Sequence, residues 1–323
     1  MRAVVCEELG SLDNVVVRDR EPLVPAEGQA VVTMRAAGVN FVDGLMCQGK
    51  YQIKFQTPYV PGGELAGEVA ALGQAVSGVS VGDRVMAMCG FGAFAEQVAV
   101  SASSLAPVPE GLGYPQAAAF IQSYSTAWYT LTRRTSVAPG ETVLVLGAGG
   151  GIGLAMVDAA VAIGATVIAA ASSEEKLAAA KAMGASATIA YEHEDLKTRA
   201  RELSGGGVDV VVDPVGGRHS EPALRSLGNF GRFCVIGFAA GAIPTVPLNQ
   251  ILLRNRSVVG VDWGYWGMQD PEGNRRVLEE LVEMVEAGLL HPVVPAERPL
   301  EQAAEVMARL LDRSITGKVA LVP

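Results

Sequence analysis

The chain has 323 residues, 50% of them hydrophobic, and a formal net charge of −9. This length and apolar content are sufficient for two domains with their own cores, whereas the negative charge argues against a nucleic-acid-binding surface. No apolar run reaches the roughly 18–20 residues of a membrane-spanning helix. Two acids, Glu7 and Glu8, stand where a signal peptide needs its apolar stretch. We therefore expect a cytoplasmic protein without a membrane partner.

The cysteines and histidines are scattered along the chain. No Cys-x-x-Cys pair occurs, and the three histidines are far apart in sequence. The spacing therefore predicts neither a zinc site of clustered ligands nor a disulfide framework. We expect the four cysteines, Cys6, Cys47, Cys89 and Cys234, to be free thiols.

The N-terminal part of the chain has the pattern of β-structure. Short segments such as residues 29–34 and 67–72 are rich in Val, Ala and Thr, and glycine or proline separates them. We interpret residues 1–121 as a β-rich, partly open barrel.

From about residue 117 the apolar spacing becomes helical, over residues 117–131. Strands and helices then alternate. The predicted strands are 142–146, 166–171, 208–212, 232–236 and 257–261, with helices over 152–163 and 174–183. This alternation predicts an α/β fold with a doubly wound parallel sheet, which we assign to residues 122–263.

The C-terminal tail exceeds what such a sheet needs after its last strand. It contains two amphipathic segments, 274–287 and 300–311, and a final apolar strand over 316–322. We therefore expect residues 264–323 to return to the first domain, which would be discontinuous.

One motif carries most of the functional information. The apolar strand ending at Leu146 runs directly into Gly147-Ala-Gly-Gly-Gly-Ile-Gly153 and then into a helix. The spacing is Gly147-x-x-Gly150-x-x-Gly153, because Ile152 breaks the strict Gly-x-Gly-x-x-Gly frame. Glycines there allow phosphates to approach the backbone at a helix N-terminus. Gly147, Gly150, Gly151, Ile152 and Gly153 are thus candidate dinucleotide-binding residues, although a tight structural turn would also use glycine.

The end of the next predicted strand indicates which dinucleotide binds. Sites that prefer NAD usually carry an acid there for the ribose 2′-hydroxyl. Here the chain has Ser172 and Ser173, followed by Lys176, and hydroxyls with an ammonium suit a 2′-phosphate. NADPH is therefore predicted, with NADH as the alternative. Ser172-x-x-Glu175 also has the spacing of a helix capping box.

Several segments in order make the chain resemble the medium-chain dehydrogenase/reductase superfamily, in its zinc-free quinone oxidoreductase branch. The segments are Ala36-Ala-Gly-Val-Asn-Phe-Val-Asp43, Tyr59-Val-Pro-Gly-Gly-Glu-Leu-Ala-Gly-Glu-Val69, Val81-Gly-Asp-Arg-Val85, Gly147–Gly153, Asp213-Pro-Val-Gly-Gly217, Val235-Ile-Gly-Phe238 and Thr316-Gly-Lys-Val319. The resemblance implies a Rossmann nucleotide domain plus a GroES-like catalytic domain. It also implies a homodimer, formed through the sheet edge near residues 257–261.

The branch is indicated by missing metal ligands. Alcohol dehydrogenases of this superfamily carry a zinc-binding cysteine where this chain has Asn40, and Gly-His-Glu where it has Gly62-Gly63-Glu64. The four-cysteine lobe of those enzymes is absent as well, with only Cys89 in its region. The resemblance therefore implies no zinc and no metal Lewis acid.

The resemblance also assigns roles to single residues. It implies that Asn40 lies near the nicotinamide and Thr126 near the cofactor phosphates or the nicotinamide. It also implies that Lys176 and Tyr191 flank the 2′-phosphate. Further cofactor contacts would come from the loop residues Gly237 and Phe238 and from Arg313 near the C-terminus. Simpler accounts remain open: Asn40 as an amide that bonds its own turn, and Arg313 as a surface arginine that ends a helix.

The implied reaction is hydride transfer from NADPH to a quinone or a similar conjugated acceptor. Tyr51 and Tyr124 could each supply a hydroxyl to the substrate, although both could equally be packing tyrosines. Many relatives carry Tyr and Arg where this chain has Leu45 and Cys47, so the acceptor pocket is not defined by the resemblance. The alternatives are an enone or enoyl-thioester reductase of the same superfamily, or a catalytically silent NADPH-binding protein.

Overall fold

The computed structural model describes residues 1–323, which divide into two compact units. The first unit comprises Met1–Gln122 and Val293–Pro323, and the second comprises Ser123–Pro292. None of the helices combines the length and the apolar character needed to cross a membrane.

The chain forms fifteen strands and eleven α-helices. The strands are β1 Arg2–Cys6, β2 Val15–Asp19, β3 Gln29–Val39, β4 Glu64–Leu72, β5 Arg84–Met88, β6 Gln97–Ser101, β7 Leu105–Pro107, β8 Thr142–Leu146, β9 Thr166–Ala171, β10 Ala187–Ala190, β11 Val208–Asp213, β12 Leu227–Val235, β13 Ser257–Gly260, β14 Ala296–Pro299 and β15 Val319–Val322. The helices are α1 Phe41–Cys47, α2 Tyr114–Ala118, α3 Ile121–Trp128, α4 Gly151–Ile163, α5 Glu174–Ala182, α6 Leu196–Leu203, α7 Ser220–Ser226, α8 Asn249–Leu252, α9 Trp263–Gln269, α10 Pro271–Glu286 and α11 Ala303–Leu311.

The first unit is built on a seven-stranded sheet. Its order is β14-β15-β3-β4-β5-β7, with β6 also paired to β3, and β1 and β2 form a separate antiparallel pair. The long strand β3 contributes fully buried apolar side chains to a core completed by residues of β4 and β15. The predicted β-rich, GroES-like domain is confirmed. The last strand of the chain lies in this sheet because β15 pairs with β3.

The second unit contains the predicted parallel sheet. Its six strands run in the order β10-β9-β8-β11-β12-β13, and every neighbouring pair is parallel. This is the 3-2-1-4-5-6 order of a doubly wound dinucleotide-binding fold, with the order reversing between β8 and β11. All of β8 from Val143 to Leu146 is fully buried, as expected for a strand covered on both faces. The α/β prediction is confirmed, while β10 was not among the predicted strands.

The predicted helix over residues 117–131 is interrupted. The chain instead forms α2, then α3, and then a wider π-helical segment, Tyr129–Arg134. In that segment the hydroxyls of Thr130 and Thr132 donate to the carbonyls of Thr126 and Trp128, each at 2.6 Å. Such side-chain bonds to carbonyls four residues earlier compete with backbone donors and distort a helix.

Residues 264–292 belong to the second unit, in contrast to the predicted boundary at residue 263. Three contacts hold them there. The indole Nε1 of Trp128 donates to Glu280 Oε2 at 2.7 Å, and Tyr129 stacks on Trp266 with ring centroids 4.4 Å apart. The backbone N–H of His291 donates to the buried Asp158 at 2.7 Å. Only residues 293–323 return to the first unit.

Candidate active site

In the first unit, strand register brings three distant polar residues together. Strands β15 and β3 are antiparallel with Val319 opposite Val39, so Lys318 and Asn40 lie at adjoining ends of these strands. Strand β4 pairs with β3 on its other side, with Glu64 opposite Gly38. Glu64, Asn40 and Lys318 therefore converge from three neighbouring strands, although up to 278 positions separate them in sequence.

These three side chains form a buried hydrogen-bonded network. The Lys318 ammonium donates to Asn40 Oδ1 at 2.7 Å and to Glu64 Oε1 at 2.9 Å. The Asn40 amide Nδ2 donates to the same Glu64 oxygen at 2.8 Å, and the backbone N–H of Gln122 donates to Glu64 Oε2 at 2.9 Å. Glu64 is 0% exposed, Lys318 6% and Asn40 8%. A carboxylate this deeply buried needs such partners, because an unpaired buried charge is costly.

Two glycines, Gly38 in the segment Ala36–Asp43 and Gly62 in the segment Tyr59–Val69, make room for neighbouring buried groups. A Cβ on Gly38 would lie 2.5 Å from Glu64 Oε1 and 2.4 Å from the carbonyl oxygen of Ala118. Gly62 has a φ of +95°, and its Cβ would lie 2.3 Å from the ring of Phe94. The backbone at Gly38 is therefore shaped around the buried carboxylate, and the backbone at Gly62 around the core ring of Phe94.

A second buried acid, Asp43, lies at the start of α1. Its Oδ2 accepts a hydrogen bond of 2.7 Å from the backbone N–H of Asn40, which caps the helix and fixes the backbone that carries the Asn40 amide. Asp43 is 2% exposed, and burial raises its pKa to about 7, with the charge of Glu64 adding to the effect. The hydrogen bond from Asn40 and the Lys318 ammonium act in the opposite direction.

In the second unit, the glycine turn joins β8 to α4 by close backbone packing. Gly147 has a φ of +58°, and a Cβ there would meet Val215 at 2.7 Å. A Cβ on Gly153 would lie 2.2 Å from the Gly147 carbonyl oxygen, so this glycine lets the helix cross the turn. These two glycines are required by the fold itself, whatever binds.

The remaining part of the turn fits a dinucleotide diphosphate. Gly150 is the N-cap of α4 without a side-chain cap, and no acidic residue lies in the first helical turn, which contains Gly151 and Ile152. A Cβ on Gly150 would have only one neighbour within 4 Å, at 3.5 Å. The turn therefore presents N–H groups without intrahelical acceptors beside open space, as anion binding at a helix start requires.

Lys176 lies directly over this turn. A Cβ on Gly149 would fall 2.4 Å from Lys176 Cβ and 2.6 Å from its Cγ. Ser173, rather than Ser172, is the N-cap of α5, and its hydroxyl accepts from the backbone N–H of Lys176 at 3.4 Å. The predicted capping box of Ser172 and Glu175 is therefore absent, because the helix starts only at Glu174 and the residue three positions after the Ser173 cap is Lys176. Ser172 is exposed directly after β9.

Tyr191 lies at the same edge of the parallel sheet. Ala190 at the end of β10 is opposite Ala171 at the end of β9, and the backbone N–H of Tyr191 donates to the Ala171 carbonyl at 3.3 Å. The Tyr191 ring packs on His219, with centroids 4.1 Å apart. Register thus places Tyr191 and Ser172 at adjoining strand ends, where the sequence predicts the 2′-phosphate.

The loop after β11 is organised by Asp213, an acid that the sequence did not single out. Asp213 Oδ1 accepts from the N–H groups of Val215 and Gly216, both at 2.8 Å, and Oδ2 accepts from the Ser220 hydroxyl at 2.6 Å. A Cβ on Gly216 would meet the ring of Phe238 at 2.9 Å. Gly237 and Phe238 therefore pack on the loop that follows β11.

The other predicted site residues have separate surroundings. Thr126 is 7% exposed on α3. Tyr51 is partly buried in the segment after α1, and Arg313 is exposed beyond the end of α11 with a φ of +64°.

Tyr124 is held inside the second unit. It is 3% exposed, and its hydroxyl donates to Asp158 at 2.7 Å. Burial, with the adjacent Asp158 charge, raises the pKa of Tyr124 well above its usual value. These contacts give Tyr124 a packing role and argue against its being the proton donor.

The family resemblance indicates Asn40 but not the residues that hold it. In the sequence, Glu64 stands out only as part of the segment Tyr59–Val69, and Lys318 only as part of Thr316–Val319. One signal is present in the sequence, since Lys318 is the single charged residue of the apolar segment 316–322. Its position opposite Asn40 depends on strand register, which the sequence does not specify over such a distance.

Comparison with known proteins follows this division of the chain. Residues 26–110 match the family described as alcohol dehydrogenase GroES-like domain, and residues 151–286 match the family described as zinc-binding dehydrogenase. A bovine protein named quinone oxidoreductase-like protein 2 is 39% identical, over 99% of this chain and 92% of its own length.

Solved structures agree in fold over the whole chain. The Escherichia coli quinone oxidoreductase complexed with NADPH is 28% identical, with a TM-score of 0.92 and full coverage of both chains. A structure described as NAD-dependent alcohol dehydrogenase is 32% identical, with the same TM-score and coverage. The relatives thus include proteins described with either dinucleotide.

The residues of this chain do not fit a catalytic zinc ion. No group of three His, Cys, Asp or Glu side chains comes together in a metal-binding arrangement. Gly63 has no side chain to offer, and the Lys318 ammonium occupies the side of Glu64 that faces Asn40. An ammonium has no lone pair for a metal and repels one.

The buried acid Asp43 makes stability depend on pH. Its pKa of about 7 in the folded protein exceeds the usual value of about 4, so the folded state binds this proton more tightly. Stability from this group is therefore present at low pH and is lost as the pH rises from about 4 to about 7. Relative to Asp43→Asn, we expect the wild-type free energy of unfolding to fall by at least about 1 kcal/mol between pH 5 and pH 8.

Urea denaturation at the two pH values measures this difference. Asp13→Asn, at an exposed acid, is the matched control and should show no pH-dependent difference from the wild type. An Asp43→Asn effect of equal size at both pH values would contradict the raised pKa.

Proposed function

Because the chain belongs to the quinone oxidoreductase branch of the medium-chain dehydrogenase/reductase superfamily, we propose that it is a zinc-independent, NADPH-dependent oxidoreductase that reduces a quinone or a similar conjugated acceptor. The observation that carries the choice of cofactor is the stem of Lys176 packed on the glycine turn. No acid stands at Ser172, where a ribose 2′-hydroxyl would need one. The glycine turn and Lys176 together suit a diphosphate and a 2′-phosphate.

The residues divide the work of binding. In the proposal, the N–H groups of the first turn of α4, beginning at Gly151, bind the diphosphate. Lys176, Ser172 and Tyr191 hold the 2′-phosphate. Thr126, Gly237, Phe238 and Arg313 keep the contacts that the resemblance assigns to them.

Asn40 is the residue that we assign to the reacting end of the cofactor. NADPH supplies a hydride when it is bound. The protein contributes a fixed amide at Asn40, whose two ends are held by Lys318 and Glu64, and fixed groups of this kind orient the reacting partners. Neither an amide nor an ammonium replaces a metal Lewis acid, which favours an acceptor that is already electron-poor.

A proton must also reach the reduced acceptor. Tyr51 remains the candidate hydroxyl in the first unit, with water as the other source. Tyr124 is not part of the proposed catalytic set, because its hydroxyl donates to Asp158. We propose a small-molecule substrate and no nucleic-acid or membrane partner, and we predict a cytoplasmic location.

The test of the function is a screen for NADPH oxidation. We expect turnover with 1,4-benzoquinone or 9,10-phenanthrenequinone in the presence of a chelator, with slower oxidation of NADPH when enones or enoyl-CoA thioesters are the acceptors. A preference for the thioesters would replace the proposal by the enoyl-thioester alternative. NADPH binding without reduction of any acceptor would indicate the catalytically silent alternative.

The choice of cofactor has a separate test in Lys176→Met. Loss of one charge-assisted contact, worth about 1.5–3 kcal/mol, should raise the dissociation constant for NADPH about 10–100-fold. NADH, which lacks the 2′-phosphate, should bind this variant as it binds the wild type. Fluorescence titration measures both constants.

Lys181→Met, at an exposed lysine on the same helix, is the control. It should leave both constants unchanged. Equal weakening of NADPH and NADH by Lys176→Met would place the lysine away from the 2′-phosphate.

We also propose a homodimer formed through the edge of the parallel sheet. Strand β13 pairs only with β12 and therefore exposes an unpaired edge. Apolar side chains around this edge are exposed, including Val258 at 48%, Leu252 at 78% and Phe230 at 73%. An apolar open edge of this kind is normally covered.

Sedimentation equilibrium measures the assembly. We expect the wild type to have twice the mass of the 33.5 kDa chain and Val258→Lys to sediment as a monomer. Val81→Lys, at an exposed valine of the first unit, should remain dimeric. A monomeric wild type at micromolar concentration would exclude this interface.

A further inference from the structure

The buried lysine in the first unit is an unusual feature, since lysine is almost never fully buried unless it is paired. Lys318 is 6% exposed, and its ammonium donates to one amide oxygen and one carboxylate oxygen. It enters the network because Gly317, with a φ of +76°, turns the chain just before β15. The sequence thus places the Lys318 ammonium next to Glu64.

This charge determines the orientation of the Asn40 amide. The oxygen of the amide faces the Lys318 ammonium, and its nitrogen faces the Glu64 carboxylate. A 180° flip would put NH₂ against the ammonium and oxygen against the carboxylate, so both hydrogen bonds would become repulsive. The two opposite charges therefore leave Asn40 one orientation.

The same position corresponds to a metal site in other members of the superfamily. Asn40 and Gly63 stand where the metal-dependent dehydrogenases have zinc ligands. Glu64 follows Gly63 in the chain and accepts a hydrogen bond from Asn40. A cation at this point would balance the fully buried carboxylate, and the Lys318 ammonium already does so at 2.9 Å. A divalent cation would have to displace this ammonium.

We propose that Lys318 is the resident cation of the site: it balances Glu64, sets the orientation of Asn40 and keeps divalent metals out. Lys318 is a positioning residue that acts through Asn40, so its effect on turnover rests on the proposed function. Its effect on metal binding does not.

The first test measures metal binding without any activity. Wild type, Glu64→Gln, Lys318→Ala and the double variant Lys318→Ala/Glu64→Gln are freed of metal with a chelator and then titrated with CoCl₂, with the melting temperature as readout. We expect Co²⁺ to raise the melting temperature of Lys318→Ala only, because only this variant presents an uncompensated buried carboxylate. A Co²⁺ response in the wild type that Glu64→Gln removes would overturn the proposal, as would no response in Lys318→Ala.

The second test separates positioning from folding. Lys318→Met should lower kcat at least about tenfold, because the amide is no longer held in one orientation, while the dissociation constant for NADPH stays within about threefold of the wild-type value. Adding Glu64→Gln should restore the melting temperature, because no unpaired charge remains, without restoring kcat. Lys197→Met, at an exposed lysine, is the control and should behave as the wild type.

The outcomes of the two tests are distinct. A wild-type kcat in Lys318→Met would overturn the positioning role, and so would recovery of kcat together with the melting temperature in the double variant. A wild type that reduces no acceptor would defeat the proposed function, and the Co²⁺ titration would still decide whether Lys318 is the resident cation.

Discussion

A fully buried carboxylate determines much of the architecture of the first unit. Glu64 is 0% exposed, and an isolated charge in such a place would be strongly destabilising. Its partners come from three parts of the chain: Asn40 after β3, Lys318 before β15, and the backbone of Gln122. The lysine can reach the carboxylate only if the chain returns from residue 293 onwards to pair β15 with β3. The charge of Glu64 is therefore balanced only because the unit is discontinuous and the C-terminal segment returns to it.

In the second unit, the important residues of the site are glycines, which have no side chain, whereas in the first unit they are charged side chains. Gly153 is a glycine because α4 crosses the turn at backbone contact. Gly147 is one because Val215 occupies the space of its Cβ, and Gly149 because the Lys176 stem does so. Gly150 has no such packing reason, since its Cβ would meet a single atom at ordinary contact distance. A glycine that the fold does not need is best explained by something outside the chain that must approach the backbone.

The parts of the structure that the sequence predicted are those with local causes. Strand β8, the glycine turn and α4 follow one another within residues 142–163, and apolar runs with glycine specify them directly. The predicted domain boundary at residue 263 lies before the one in the structure. The contacts that hold residues 264–292 in the second unit are side-chain pairs such as Trp128 with Glu280, 152 positions apart. Such a pair cannot be predicted from the spacing of apolar residues.

The candidate site divides in the same way. The glycine turn and Ser172 could be read from neighbouring residues, and strand register then brings Tyr191 to the same edge. The cap of α5 was assigned to Ser172 instead of Ser173, since two adjacent serines offer the same signal and only the start of the helix separates them. Asn40 was identified through the family resemblance, but its partner Lys318 lies 278 positions away.

The network around Asn40 differs in kind from a metal centre built on the same scaffold. A metal site holds its ligands through bonds that are lost when the ion dissociates, whereas Lys318 is covalently part of the chain and cannot leave. Its charge is also single, and Glu64 balances it within the same network. The site therefore brings no net positive charge to polarise an acceptor and offers instead an amide of fixed direction. Such a site suits a reaction in which the acceptor already stabilises the incoming charge, as a conjugated carbonyl compound does, more than one in which an alcohol must be made acidic.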